Sequence, residues 1–187
     1  KSTSVSGNSS IEGKTVVRLK GGDPFIFGRG SEEIEYVESF GIPTFVVPGI
    51  SSSIAVPAYQ GISLTKRGVS ESFWVITGTT SDRKLSNDVA LAAKSSATVV
   101  ILMGMSKLSQ IVTLFQNEDK GKTPVAIIQN GTMPNEKIGI GTVDTIVNVA
   151  QMNNLSSPAI IVIGEVVRES NKLKGFYEEF ISNEINK

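Results

Sequence analysis

The sequence of 187 residues contains neither cysteine nor histidine. Without cysteine there can be no disulfides, thiolate nucleophiles or thiolate metal ligands. Without histidine the chain lacks the usual proton shuttle at neutral pH and the commonest protein ligand of transition metals. Any chemistry must therefore come from carboxylates, lysine, arginine, tyrosine, hydroxyls, backbone groups or a bound cofactor, and we expect no metal site.

A long apolar run and an excess of one charge are also missing. No run reaches the roughly 18–20 apolar residues that cross a membrane, and residues 1–4 lack the apolar character of a signal peptide. The 18 basic and 18 acidic residues cancel, which argues against a general nucleic-acid surface. We therefore expect a soluble, cytoplasmic protein with neither membrane nor nucleic-acid partners. The apolar content of 40% is enough for a sizeable core.

The first half of the chain alternates apolar runs with glycine- and proline-rich turns. Residues 15–19 predict a buried strand, and residues 44–47 and 73–77 predict two more strands. Helices are predicted between them, one capped by Ser31 and closed by Gly41, and a short one reaching Tyr59. This order is typical of an α/β layer with mostly parallel strands, whose ligands gather at the carboxyl ends of the strands.

The second half repeats the same pattern. Strands are predicted at 98–102, 125–128, 137–141 and 159–163, and the last is wholly apolar, as expected for a buried strand. Apolar periodicity predicts helices around 85–92, 106–115 and 142–150, and a docked final helix around 176–181. We expect two α/β domains, residues 1–80 and 81–187, divided near the polar stretch 78–83.

The turn Gly21-Gly22-Asp23-Pro24 follows the first predicted strand. Two residues without Cβ let the backbone approach a ligand closely, and the carboxylate of Asp23 can accept hydrogen bonds from an amine or hydroxyl. On its own, this tetrapeptide is more often a tight turn closed by the aspartate. The spacing of Gly28 and Gly30 does not match the dinucleotide fingerprint, and no P-loop motif occurs, so a nucleotide-binding protein is a weaker alternative.

The whole string from Val17 to Gly30, VRLKGGDPFIFGRG, resembles the signature of uroporphyrinogen-III C-methyltransferases, a group within the tetrapyrrole methylase family. The resemblance continues in order to about residue 168 and so covers most of the chain. It includes the motifs Val47-Pro48-Gly49-Ile50, Met103-Gly104 and Gln129-Asn130-Gly131-Thr132. A long ordered match is much harder to meet by chance than a glycine pattern.

The resemblance implies two α/β domains with mixed sheets flanked by helices, and a cleft between the domains that holds S-adenosylmethionine (SAM). It implies that two methyl groups are transferred from SAM to C2 and C7 of uroporphyrinogen III, giving precorrin-2 for sirohaem and cobalamin synthesis. It also implies a homodimer. On the matching positions, the implied SAM contacts are Gly21, Gly22, Asp23, Ile26, Ser51, Ser52, Met103, Ala126 and Gly131.

The implied substrate carries eight carboxylates, which arginine and lysine bind through charge-assisted hydrogen bonds. The basic residues in or near the matching motifs are Arg18, Lys20, Arg29, Lys66 and Arg67. Of these, Arg29, Lys66 and Arg67 are our substrate-binding candidates, with Arg29 preferred because it lies inside the signature. Methyl transfer from a sulfonium needs no protein nucleophile, which suits a chain without cysteine or histidine.

The sequence departs from the family pattern in three places. Family members carry a strand and a Gly-x-Gly-Pro-Gly-Asp-Pro loop before the signature, together with the candidate acid and base residues. We do not find that region here, so we expect an incomplete first domain and assign no catalytic residue. Lys66 stands where histidine is usual, and Ser51 stands where threonine is usual. A methylase of a later precorrin and a non-catalytic binding or oligomerisation module remain alternatives.

Overall fold

The computed structural model describes residues 13–175, which divide into two compact units at Ser51 and Ser52. The predicted final helix around 176–181 lies outside the described residues. Within residues 13–175, no helix combines the length and the apolar character needed to cross a membrane.

Among residues 13–51, the first unit contains one helix, α1 (Gly30–Glu38). It begins one residue before Ser31, so the predicted cap lies inside the helix, and the residue that precedes the helix is Arg29, with a left-handed φ of 58°. The helix ends as predicted: the N–H of Gly41 donates to the carbonyl of Glu38 at 2.8 Å, and Gly41 has a φ of 73°. Glycine adopts this left-handed conformation without a Cβ penalty, which explains why the helix closes there.

The strands predicted at 15–19 and 44–47 are not formed. Neither segment has regular secondary structure, and no described strand pairs with either of them. Their apolar side chains are exposed, with 81% of Val17 and 94% of Phe45 accessible to solvent. A β-branched or aromatic run favours a strand only where a neighbouring strand supplies the ladder hydrogen bonds, so this part of the prediction is wrong for the described structure.

The second unit is built on one five-stranded sheet. Its strands are β1 (Phe73–Thr77), β2 (Thr98–Leu102), β3 (Pro124–Gln129), β4 (Lys137–Thr142) and β5 (Ala159–Ile163), in the spatial order β1-β2-β5-β3-β4. Among the described strands, only β1 and β2 pair in parallel, and the other three pairs are antiparallel. The prediction of mostly parallel strands is therefore wrong for this sheet. The reason is that β5 lies between β2 and β3 and is antiparallel to both. The mixed sheet implied by the resemblance is confirmed.

Helices cover both faces of this sheet. They are α2 (Ser52–Tyr59), α3 (Asp88–Lys94), α4 (Leu108–Gln116) and α5 (Ile146–Met152), with short 3-10 turns at Met105–Lys107 and Glu165–Val167. Residues of α3, α4 and α5 share one core cluster with Ile161 of β5, while Val56 of α2 shares the other with Val162. Successive β5 side chains therefore enter opposite cores, as expected for a strand covered on both faces.

The strand β1 pairs along its whole length with β2, from Phe73 with Thr98 to Thr77 with Leu102. The predicted first domain includes residues 73–77, whereas the structure places them in the sheet of the second unit. The boundary predicted at residues 80 and 81 therefore falls inside that unit. The reason is that β1 needs β2 as its hydrogen-bonding partner, which a local polar stretch in the sequence does not reveal.

We expect Ile161→Ala to lower the free energy of unfolding by about 2–5 kcal/mol, because it leaves a cavity in a packed core. Ile161 is fully buried, whereas Leu91 on α3 is 57% exposed. Leu91→Ala is the matched control and should change stability by less than about 0.5 kcal/mol. Equal effects of both substitutions in urea unfolding would contradict the assignment of β5 to the centre of the core.

Candidate functional site

Three strands of the second unit end at the same edge of the sheet. β1 is parallel to β2, and both β2 and β3 are antiparallel to β5, so β1, β2 and β3 all run in one direction. We call the edge at which Thr77, Leu102 and Gln129 end their strands the carboxyl edge. The loops that follow these strands are therefore neighbours, although they lie far apart in sequence.

The carboxyl edge carries unusual backbone conformations. Met103, Asn130 and Thr132 all have positive φ, at 54°, 50° and 70°. Asparagine tolerates this conformation, whereas for methionine and threonine the left-handed region costs about 1–2 kcal/mol per residue. Such backbone strain tends to cluster at binding sites, where the surrounding structure holds it in place. This clustering marks the edge as the candidate site of the second unit.

The loop after β2 is drawn tightly onto the core. A Cβ on Gly104 would lie 2.8 Å from Cγ2 of Ile101 and 3.0 Å from Cδ1 of Ile161, so only glycine fits there without a shift in the core. The preceding residue, Met103, is 52% exposed. The loop therefore presents an exposed methionine from a backbone that is fixed against the sheet.

The loop after β3 is fixed to the end of α2. A Cβ on Gly131 would approach Cγ1 of Val56 to 2.4 Å, so glycine is required for this contact. The carboxylate of Glu136 accepts hydrogen bonds from the backbone N–H of Thr132 at 2.7 Å and from Nε2 of the buried Gln60 at 2.6 Å. Hydrogen bonds to a charged acceptor are stronger than neutral ones, and they anchor this loop.

The structure separates the SAM-binding candidates of the second unit. Met103 and Gly131 follow β2 and β3 at the carboxyl edge, and Ser52 is the exposed first residue of α2. Ala126 lies in the middle of β3, where it pairs with Val162 and is fully buried. Its side chain belongs to the core, so Ala126 is not part of the exposed edge.

The remaining candidates lie in two loops of the first unit, and Asp23 is the residue that joins these loops. Its carboxylate accepts hydrogen bonds from the backbone N–H of Phe25 at 2.9 Å and of Gly49 at 3.0 Å. These bonds, with that from Gly49 the larger cause, lower the pKa of Asp23 below its ordinary value. Asp23 thus ties together the two glycine-rich stretches that hold Gly21, Gly22 and Ser51, while Ile26 remains exposed. The tight-turn interpretation of Asp23 therefore has direct structural support.

Most of the basic candidates already have acidic partners. Arg29 binds Glu32, which raises the pKa of Arg29, and Lys66 forms an ion pair with Glu169. Arg67 lies exposed in the tight turn between Lys66 and Ser70 and has no ion-pair partner among residues 13–175.

The weaker candidates in the first unit are also paired. Arg18 and Lys20 both bind the carboxylate of Glu33, at 3.1 and 2.9 Å. Hydrogen bonds from Arg18 and then Lys20 lower the pKa of Glu33. Of the five basic candidates, Arg67 is therefore the one whose charge is not already matched within the described chain.

The residues that support the carboxyl edge were not predicted. Thr79 donates its hydroxyl hydrogen to the carbonyl of Met103 at 2.8 Å, and Gln60 and Glu136 anchor the loop after β3. Thr79 comes directly after Gly78, at the end of a predicted strand, where a hydroxyl can reach a neighbouring loop. This position was the one signal in the sequence for the contact of Thr79. The link between Gln60 and Glu136 spans 76 residues and has no local signal in the sequence.

The sequence is similar to a known protein family and to curated proteins. The family model for tetrapyrrole (corrin/porphyrin) methylases matches residues 8–147. A uroporphyrinogen-III C-methyltransferase of Methanocaldococcus jannaschii is 49% identical over 83% of this chain and 65% of that protein. A siroheme synthase of Nitrosomonas europaea is 42% identical over 88% of this chain and 35% of that protein. The chain thus spans less than two thirds of the length of these curated relatives.

A solved structure shows the same fold. It is that of uroporphyrin-III C-methyl transferase from Thermus thermophilus complexed with S-adenyl homocysteine. The TM-score is 0.75 at 28% identity, and the match covers 89% of this chain and 73% of that one.

We expect the carboxyl group of Asp23 to titrate below its ordinary pKa of 3.8. Because the folded pKa is lowered, the stabilisation from Asp23 is complete above the ordinary value and is lost as the pH falls through the folded pKa. Carboxyl-detected NMR titration measures this pKa, and hydrogen exchange of the Gly49 amide should accelerate in Asp23→Asn at neutral pH. A pKa at or above 3.8, or an unchanged Gly49 amide in the variant, would be the contrary result.

Proposed function

The chain belongs to the tetrapyrrole methylase family, and we propose that its second unit binds SAM at the carboxyl edge for the C-methylation of uroporphyrinogen III. The proposed reaction transfers methyl groups to C2 and C7 and gives precorrin-2. The observation that carries this proposal is the position of two family motifs. Met103-Gly104 and Gly131-Thr132 are remote in sequence, yet both follow strands that end at the carboxyl edge and both contain left-handed, non-glycine backbone.

The groups at this edge suit a nucleoside cofactor with amino, carboxylate and hydroxyl groups. The edge offers backbone groups of the strand-end loops, the hydroxyl of Thr132 and the half-exposed side chain of Met103. Small-molecule sites commonly combine apolar surface with a few well-placed polar groups of this kind. The first-unit residues Gly21, Gly22, Asp23, Ile26 and Ser51 remain predictions from the resemblance.

SAM supplies a methyl group that is already activated by the positive sulfur. The chain's own residues then have to hold donor and acceptor in line and exclude water, which depends on orientation rather than on a side-chain nucleophile. Fixed loops at the ends of β2 and β3 meet the first requirement. The absence of cysteine and histidine is therefore compatible with the proposed chemistry.

On the tetrapyrrole side, we propose Arg67 as a ligand for a substrate carboxylate. It is exposed, it lies in a turn closed in both directions by backbone hydrogen bonds of 2.9 Å between Lys66 and Ser70, and its charge is unmatched among the described residues. Arg29 and Lys66 would first have to leave Glu32 and Glu169. A homodimeric state and a cytoplasmic location belong to this proposal on the resemblance alone.

Mass spectrometry of the reaction products tests the proposed function. The protein is incubated anaerobically with SAM and uroporphyrinogen III, and the product should gain the mass of two methylene units. No gain with uroporphyrinogen III, but a gain with a later precorrin, would reassign the chain to another methylation step. No gain with either substrate would contradict a methylating activity of this chain.

We expect Arg67→Gln to raise KM for uroporphyrinogen III by about 10- to 100-fold, since a charge-assisted hydrogen bond contributes roughly 1.5–3 kcal/mol. The dissociation constant of S-adenosylhomocysteine (SAH) should remain unchanged. Lys94→Gln, which removes an exposed charge from the last turn of α3, is the control and should leave both values unchanged. An unchanged KM in Arg67→Gln would remove Arg67 from the proposed substrate site.

A further inference from the structure

The ends of β1 and β2 are joined by a compact set of contacts that continues beyond the sheet. The backbone N–H of Gly78 donates to the carbonyl of Leu102 at 2.7 Å, and one residue further on the hydroxyl of Thr79 donates to the carbonyl of Met103 at 2.8 Å. The side chain of Thr79 thus adds one more hydrogen bond between the two chain segments beyond the last backbone hydrogen bond.

Met103 needs external support because its φ of 54° is unfavourable for a residue with a Cβ. The peptide that follows it is held from two sides. Thr79 binds its carbonyl oxygen, and a Cβ on Gly78 would lie only 2.5 Å from Cα of Gly104, so the two glycines pack directly against each other. The carbonyl of Met103 can therefore turn only by breaking its bond to Thr79.

Thr79 is itself held in place. The hydroxyl of Thr77 donates to the carbonyl of Thr79 at 2.7 Å, and Thr79 forms an isolated antiparallel bridge with Leu85 that closes the intervening loop. A hydroxyl group on such a fixed backbone is preorganised as a donor, so little conformational entropy is lost when it binds the carbonyl of Met103.

We propose that Thr79 is a positioning residue that holds Met103 in the left-handed conformation in which it contacts SAM. This inference rests on the proposed function, since it concerns the same carboxyl edge. Thr79 acts through the backbone of Met103 rather than on the cofactor. Its hydroxyl, and not its size, is the required property.

Substitutions at Thr79 separate the effect of its hydroxyl from the effect of its size. Thr79→Val removes the donor at nearly constant volume, and we expect the dissociation constant of SAH to rise about tenfold by titration calorimetry. Thr79→Ser keeps the hydroxyl, so its dissociation constant for SAH should remain within about twofold of that of the unsubstituted protein. Thr80→Val is the neighbouring control, because the hydroxyl of Thr80 bonds within its own loop to Asp82 and to the carbonyl of Lys84, and it should also retain SAH affinity.

A double-substitution cycle tests the role of Met103 directly. Glycine adopts positive φ without strain, so in a Met103→Gly background the further change Thr79→Val should alter SAH affinity by less than about twofold. A full tenfold loss in that background would overturn the proposal, because Thr79 would then act by another route. Unchanged affinity in the single variant Thr79→Val would overturn it as well.

One measurement is independent of the cofactor. The intraresidue NOE between HN and Hα of Met103, measured by NMR on the free protein, is strong when φ is positive and weaker when φ is negative. It should weaken in Thr79→Val but stay strong in Thr79→Ser. A left-handed φ that persists in Thr79→Val would overturn the proposal. If the unsubstituted protein fails to bind SAH, the proposed function fails, whereas the φ measurement still decides whether Thr79 holds Met103.

Discussion

The antiparallel insertion of β5 between β2 and β3 is the constraint on which the rest of the second unit depends. Its five residues, Ala-Ile-Ile-Val-Ile, are apolar throughout and supply side chains to both core clusters. Because β2 and β3 are both antiparallel to β5, they must run in the same direction. Their carboxyl ends must therefore lie at one edge of the sheet. A buried strand with no polar side chain therefore determines where the loops of the candidate site lie.

The loops at that edge are fixed by contacts that only certain residues allow. Glycine is needed at Gly104 and Gly131 because the core and α2 leave no room for a Cβ. Polar contacts from Thr79 and Glu136 then hold Met103 and Thr132 in strained conformations. For the proposed methyl transfer, which requires orientation more than acid–base chemistry, holding the cofactor with such fixed loops is the contribution that we propose for this unit.

The sequence predicted the second unit well because its strands and helices carry strong periodic signals. The strands at 73–77, 98–102 and 159–163 have the predicted bounds, and α4 buries Leu108, Ile111, Val112 and Phe115 as its spacing indicated. The same kind of signal failed at 15–19 and 44–47. Strand formation depends on a partner, and an apolar run in the sequence does not show whether a partner strand is present.

The candidate site was predictable only in part. Met103 and Gly131 were found through the family resemblance, but neither the left-handed φ of Met103 nor the burial of Ala126 follows from residue type. Methionine has no preference for positive φ, so its conformation arises from contacts with Thr79 and Gly104 that exist only in the folded sheet. The acidic partners of Arg29 and Lys66 changed the ranking of the substrate candidates for a similar reason.

Hydrogen exchange measured by mass spectrometry, with and without SAH, shows directly whether the carboxyl edge holds the cofactor. We predict that SAH slows exchange in the loops that follow β1, β2 and β3, in peptides containing residues 78–80, 103–105 and 130–133. Peptides from the turn between β4 and α5, at the opposite edge of the sheet, should be unchanged. Protection confined to that opposite edge, or bound SAH that leaves all three loops unchanged, would contradict a cofactor site at the carboxyl edge.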